Sequence, residues 1–265
     1  MAGVHAGVNV KCGMIAIVLA GGNAKRLWPL TFGRPKALLP IAGKPVIDFQ
    51  IEKLTSLMPR ISRIIVSINL KFESQYNDWL AVSQHPNIEL VPDDLLKGKE
   101  RTGAVGAMAD LARTTKEEIF IVPGDNIFID DLEEFLSFFS QNRSPTVALY
   151  HAKNLDETRK GSNVVVDEDG KILEFMEKPA LPKTTVVGAC IYAFPAGITR
   201  RFEEYLQQRL PVDEPGRFIE WLHKREPVYG CMLSDYVWDI VTLDSYRSAN
   251  EFFLLHALQK RVKVS

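Results

Sequence analysis

The 265-residue sequence is poor in cysteine: Cys12, Cys190 and Cys231 are few, odd in number and widely spaced. Such usage excludes a disulfide framework and offers no zinc pattern. No apolar stretch approaches the roughly 20 residues that a bilayer span requires. The opening MAGVHAGVNVKCG is too short and too weakly apolar for a secretory signal, and residues 1–13 read as a loose extension of a cytoplasmic protein. Charge of one sign is also missing, with 32 Lys and Arg against 33 Asp and Glu. Nothing in that balance attracts nucleic acid or an anionic membrane, so basic residues must be judged by their placement. The five histidines, His5, His85, His151, His223 and His256, show neither metal-ligand spacing nor a triad partner. The two commoner phosphate loops are absent as well: no glycine-lysine-serine or glycine-lysine-threonine, and no Rossmann glycine pattern.

What is present alternates. MIAIVLA (Met14 to Ala20), ISRIIVSI, NIELV, EIFIV and TVALYHA are short runs with the two-sided apolar character of buried parallel strands. Between them lie segments with helical spacing, such as KPVIDFQIEKLTSLM, FESQYNDWLAVS and DLEEFLSFFSQN. A helix over TGAVGAMADLARTT takes Thr102 as its expected N-cap. This rhythm predicts one α/β domain over 14–265, with right-handed crossovers and helices on both faces of the sheet. From about Gly161 the rhythm changes. NVVVDEDGKILEFMEKP predicts a hairpin about DEDG, VVGACIYAF a further strand, and VYGCMLSDYVWDIVT a strand-like segment. Two helical segments fall near Phe202 to Gln208 and Phe218 to Lys224. Tyr246, Ala249, Asn250, Phe253 and Ala257 share one face of a closing helix over about 243–260.

Four stations carry chemistry. LAGGNAKRLWPLTFGRPKALLP leaves the first strand with Gly21 and Gly22, which let a backbone turn tightly and approach a ligand, while consecutive loop amides form an anion nest. Lys25, Arg26 and Lys36 supply the charge for a polyphosphate, and Pro29, Pro35 and Pro40 restrict the loop. Asp125 in VPGDN and Asp239 in YVWDIVT each end an apolar segment; together they suit Mg²⁺, which takes one or two carboxylates plus phosphate oxygens and water. Lys178 in EKP is a cation for a second anionic substrate. Taken singly, each has an ordinary reading: a solvated basic loop, a turn or cap aspartate, a lysine paired with Glu177.

In this order, LAGGNAKRLWPLT with PKALLPIAGKP, TGAVGAMADLA, VPGDN, EKP with VVGACIYAF, and WDIVTLDSYRSANEFF resemble the motifs of the sugar-1-phosphate nucleotidyltransferases, the family of glucose-1-phosphate thymidylyltransferase and related nucleotide-sugar pyrophosphorylases. The resemblance covers nearly the whole chain from Met14. It implies a Rossmann-like three-layer α/β/α sandwich with a mostly parallel mixed sheet and an inserted β-hairpin region, with a nucleotide-binding half over about 14–125 and a sugar-phosphate half over about 126–242. It also implies an Mg²⁺-dependent reaction of a nucleoside triphosphate, dTTP or UTP, with a sugar 1-phosphate. By that resemblance Arg26, Lys36 and Asp125 are catalytic; Leu19, Ala20, Gly21, Gly22, Lys25 and Gly103 bind the nucleotide; Glu177, Lys178 and Gly188 bind the sugar phosphate; Asp125 and Asp239 hold the metal. Nucleic acid and membrane are not expected partners, and a homo-oligomer is. A left-handed β-helix acyltransferase domain, present in some relatives, is not expected.

The chain departs from the family pattern in three places. Ala24 and Lys25 stand where glycine and threonine are usual, Val241 where a glycine is common, and Ser162 and Asn163 in a region where a glycine often approaches the sugar. If the first position demands positive φ, Ala24 costs on the order of 1 kcal/mol. Two alternatives stand beside an active nucleotidyltransferase: a non-catalytic nucleotide-sugar sensor or regulatory subunit, motivated by Ala24 and Lys25, and a glycosyltransferase on a similar sheet using Asp167 to Asp169 as a metal motif. The second is the weaker, because DEDG suits a hairpin turn.

Overall fold

The computed structural model describes residues 13–264 except 23, 84, 86 and 94–102. Thr102 and residues 1–12 of the expected extension lie outside the described residues. In chain order the first half contains β1 (Met14–Ala20), β2 (Pro40–Ile41), β3 (Lys44–Pro45), α1 (Val46–Ser56), β4 (Ile61–Ile68), α2 (Glu73–Val82), β5 (Ile88–Pro92), α3 (Gly103–Arg113) and β6 (Glu118–Pro123). The second half adds β7 (Asn126–Ile127), α4 (Leu132–Asn142), β8 (Thr146–His151), α5 (Leu155–Thr158), β9 (Ser162–Val166), β10 (Ile172–Glu177), β11 (Val186–Phe194), α6 (Thr199–Gln207), α7 (Pro215–Leu222), β12 (Tyr229–Met232), β13 (Trp238–Asp239) and α8 (Leu243–Val264).

Seven strands form one mixed, mostly parallel sheet in the order β12, β8, β11, β6, β1, β4, β5. β1 runs parallel to both β4 and β6, whereas β11 is antiparallel to β6 and β8. Alternation along β1 explains the layers, because successive strand side chains point to opposite faces. Met14, Ala16, Val18 and Ala20 pack with Ile47 and Ile51 of α1 and with Leu132 and Phe135 of α4. Ile15 and Ile17 meet Val105 and Met108 of α3, Phe202 of α6 and Phe218 of α7. Helix α4 illustrates the local logic: the Asp131 side chain caps it by accepting from the Glu133 amide, and Leu132, Phe135, Leu136 and Phe139 bury one face. Among the described residues no helix is long and apolar enough to cross a membrane.

A third, smaller core joins Leu27, Leu39, Ile41, Val46, Ile127, Ile240 and Ala249. It fastens the long loop after β1 to β7, β13 and α8. Helix α8 is held there through Tyr246, whose hydroxyl donates to the Pro40 carbonyl (2.7 Å), and Asn250, whose Oδ1 accepts from the Ala42 amide (2.8 Å). Ala257 is exposed, so the packed face of α8 is shorter than its spacing predicts. The hairpin forms as expected: β9 and β10 are antiparallel, and Asp167 Oδ1 accepts from the amides of Asp169 (3.1 Å) and Lys171 (2.8 Å).

The segment 228–242 is not one strand. It divides into β12, on the large sheet, and β13, which pairs with β7. The Asp130 carboxylate accepts from the amides of Ser234 (2.7 Å) and Asp235 (3.1 Å) and holds the intervening turn.

Candidate active site

The parallel strands β5, β4, β1 and β6 are consecutive neighbours, and the residues just beyond their carboxyl ends converge on one cleft of about 620 Å³. Asp93 follows β5, Asn69 follows β4, Gly21 and Gly22 follow β1, and Asp125 stands just past β6. Ligands of open α/β sheets sit outside this edge. Arg26 and Lys36 enter from the long loop, Gly103 from the start of α3, and Asp239 from β13.

At one end Lys36 organises the charge. Its side chain is 9% exposed, and Nζ lies 2.9 Å from Asp125 Oδ2 and 3.8 Å from Asp239 Oδ1. The two aspartates meet because β7 and β13 form a two-residue antiparallel ladder that sets Asp239 against Asn126. With its amide nitrogen turned toward acceptors, Asn126 donates to Asp239 Oδ1 (2.9 Å) and to the Asp125 carbonyl (3.2 Å). Gln50 Nε2 donates to the Asn126 carbonyl from behind. Burial, then the neighbouring Asp125 charge, push the Asp239 carboxyl above its ordinary value, with Lys36 and Arg26 opposing the rise; about half of its side chain (52%) nevertheless faces solvent. Two carboxylates drawn together around a cation form a donor set that fits Mg²⁺ together with substrate phosphate and water.

The loop that carries Arg26 turns through Ala24, whose φ of +44° and ψ of 41° are left-handed. The condition under which alanine is costly there is therefore met. The Ala24 carbonyl accepts from Thr31 Oγ1 (2.8 Å) and from the Leu27 amide (3.0 Å), and Leu27 is buried in the small core. Arg26, Asn126 and Asp239 thus each precede one buried member of that core: Leu27, Ile127 and Ile240. At the opposite wall Gly103 has φ +55°, and a Cβ on it would fall 2.4 Å from the Val212 carbonyl oxygen. Only glycine fits both requirements.

Leu19, Gly21, Gly22, Arg26, Lys36, Gly103, Asp125 and Asp239 line the cleft. Ala20, Lys25, Glu177, Lys178 and Gly188 are not part of its lining. Ala20 is buried beneath it, with its carbonyl accepting from the Tyr76 hydroxyl (3.0 Å), and Lys25 is exposed. Lys178 Nζ lies 2.6 Å from Glu214 Oε1, not on Glu177 as the simple pairing predicts. Glu214 stands between Asp213 and Pro215, which do line the cleft, so the EKP station adjoins it. Glu177 packs against Gly216, and burial pushes its carboxyl up to about 7 while Lys178 and Arg217 pull the other way. Gly188 donates its amide to Ser162 Oγ (3.0 Å).

Several lining residues escape the motif reading, among them Asp93, Asn69, Asp213 and Cys190. Asp93 carries a signal similar to that of Asp125, an acid one or two residues past the end of an apolar strand. Cys190 sits in β11 at φ +57°, where the pairing with β8 changes register, and burial pushes its thiol up to about 12.

The family model described as Nucleotidyl transferase matches residues 15–255. The chain is 33% identical over 239 residues to the bifunctional protein GlmU of Methanocaldococcus jannaschii, covering 88% of this chain and 54% of that protein. It is 28% identical over 187 residues to UTP--glucose-1-phosphate uridylyltransferase AglF of Haloferax volcanii, covering 70% of this chain and 73% of that one. A solved structure named as a glucose-1-phosphate thymidylyltransferase, from Bacillus anthracis, superposes with a TM-score of 0.77 at 23% identity, over 91% of this chain and 96% of that one, a likeness of fold. The chain spans about half the length of the GlmU relatives that it matches.

Proposed function

Because the chain belongs to the nucleotidyl transferase family, we propose that it joins a nucleoside triphosphate to a sugar 1-phosphate, giving a nucleotide-sugar and pyrophosphate. The observation that carries this reading is Lys36, held between Asp125 and Asp239 at the strand ends with Arg26 at the same mouth. In the reaction an oxygen of the sugar phosphate attacks the α-phosphorus, a new P–O bond forms, and the bond to the bridging oxygen breaks with its electron pair leaving on pyrophosphate. A phosphate oxygen is already a competent nucleophile, so no serine, cysteine or histidine is needed. The work is alignment and charge neutralisation.

Arg26 binds the departing β,γ-phosphates through its planar fork, and Lys36 shares its ammonium with the α-phosphate. Lys178, released from Glu214, binds the sugar phosphate. Asp125 and Asp239 would hold Mg²⁺, which supplies further charge neutralisation at the phosphates. Holding the two substrates in line is worth on the order of 7–11 kcal/mol, and removing one cation from the phosphates costs on the order of 10²–10³ in rate. The resemblance puts dTTP and UTP first among the triphosphates to try.

Pyrophosphate release with Mg²⁺, across five nucleoside triphosphates and common sugar 1-phosphates, tests the reading with Asp125→Ala beside the wild type. Release that needs Asp125 supports it; silence over the whole grid overturns it. The left-handed Ala24 favours one second reading, a protein that binds nucleotide-sugars without turnover. Calorimetric binding with no release would support that reading instead.

A further inference from the structure

The cleft has two chemically different ends. Arg26, Lys36, Asp125 and Asp239 form the phosphate and metal end. At the other, Asp93 follows the edge strand β5 and reaches back toward β1: its Oδ2 lies 3.2 Å from where a Cβ on Gly21 would sit, and the Asn69 amide is 3.8 Å from the same point. The Asp93 backbone amide donates to the Ile68 carbonyl at 2.7 Å, which fixes the residue to the end of β4. Among the described residues none donates a hydrogen bond or an ion pair to its carboxylate.

Asp125 and Asp239 can face a polyphosphate because Lys36 stands between them, whereas a carboxylate with no cation beside it repels phosphate. The phosphates therefore run toward Arg26 and Lys36, and Asp93 faces the part of the nucleotide that carries hydrogen-bond donors. The lining on this side consists of small residues, Gly21, Gly103, Ala104 and Ala107.

We propose that Asp93 selects the base, and that the nucleotide taken is a guanine nucleotide. A carboxylate only accepts, with two oxygens side by side. Guanine alone among the common bases presents two adjacent donors on one edge, N1–H and the N2 amino group. Uracil and thymine offer one N–H flanked by two carbonyls, so a carboxylate oxygen would be set against a carbonyl oxygen. Adenine and cytosine place an amino donor next to a ring acceptor, with the same conflict. Complementarity toward guanine and an unpaired acceptor against the other bases act together. A bidentate contact of this kind is worth on the order of 10–100-fold in discrimination. The inference rests on the reading of the cleft as a nucleoside triphosphate site, and it replaces the dTTP or UTP expectation.

The test is calorimetric titration of the whole chain with GTP, ATP, CTP, UTP and dTTP in the presence of Mg²⁺, for the wild type and for Asp93→Asn, beside pyrophosphate release with the same set. The expected result is GTP bound on the order of 10–100-fold more tightly than UTP or dTTP. Asp93→Asn, whose amide offers one donor and one acceptor, erases most of that ratio by weakening GTP and strengthening UTP and dTTP. A ratio of affinities does not depend on how much of the variant is folded. A wild type that prefers any other base, or a guanine preference that survives Asp93→Asn, overturns the inference; pyrophosphate release with the preferred triphosphate then leaves the nucleotidyl-transfer reading standing. No binding of any triphosphate overturns both.

Discussion

Lys36 donates to Asp125 across 2.9 Å from a side chain that is itself nearly buried, and the same ammonium stands 3.8 Å from Asp239. One cation therefore holds together two carboxylates contributed by segments more than 100 residues apart in sequence. Lys36→Met removes it while keeping most of its stem. The expected result is a loss of turnover on the order of 10²–10³. Unfolding free energy should fall by about 1–2 kcal/mol, a modest loss because both carboxylates remain partly solvated. Pyrophosphate release and urea unfolding on the same preparation separate the two effects; full activity in the variant would remove Lys36 from the chemistry.

Gly103 opens α3 with φ +55° and no room for a Cβ beside the Val212 carbonyl. Gly103→Ala should cost about 2–4 kcal/mol, combining left-handed strain of about 1–2 kcal/mol with displacement of the backbone at Val212. A chemical denaturation midpoint that does not move would mean that the 212–213 loop yields freely.

Ala24 makes a contrasting case, since its φ of +44° is tolerated by the chain as it stands. Replacement by glycine relieves about 1 kcal/mol of strain and returns part of it through the freer unfolded chain, so a gain below about 1 kcal/mol is expected. Ala24→Val, with a branched side chain at the same φ, should lose about 2 kcal/mol or more and loosen the Arg26 loop. Thermal melts of the three proteins give the order Gly, Ala, Val, and any other order contradicts the geometry.

Glu177 links stability to pH. Burial raises its folded carboxyl to about 7 from an ordinary 4.5, so the folded state retains a proton that the unfolded chain has released. Its contribution is complete below about pH 4.5 and is lost as pH rises through about 7, up to about 3 kcal/mol in all. Urea midpoints at pH 5 and pH 8 should differ by less in Glu177→Gln than in the wild type. An unchanged difference would place the source of the pH dependence elsewhere.

Apolar runs were enough to place β1, β4, β5, β6 and β8, because a strand buried on both faces needs no partner to be recognised. The same logic failed for 228–242. Its interruption comes from Asp130, more than 100 residues earlier, binding the amides of Ser234 and Asp235, and no local pattern records that contact. The two-residue strands β7 and β13 have no periodicity at all, yet their pairing is what sets Asp239 beside Asn126. At the cleft, glycines and basic residues announced themselves by type. Asp93 did not, because PDDLLKGKER reads as a loop, although Asp93 comes two residues after NIELV much as Asp125 comes three after EIFIV.

Leu27, Ile127 and Ile240 belong to neither of the two large cores. A set of contacts this small melts more cheaply than the sheet, and it does so as a unit. The arginine arm, the two aspartates and the docked part of the C-terminal helix then share a single opening equilibrium. Their backbone amides should exchange with deuterium at one common rate, faster than those of β1 and β4, and anything that pins the helix in place will hold the mouth of the cleft assembled as well.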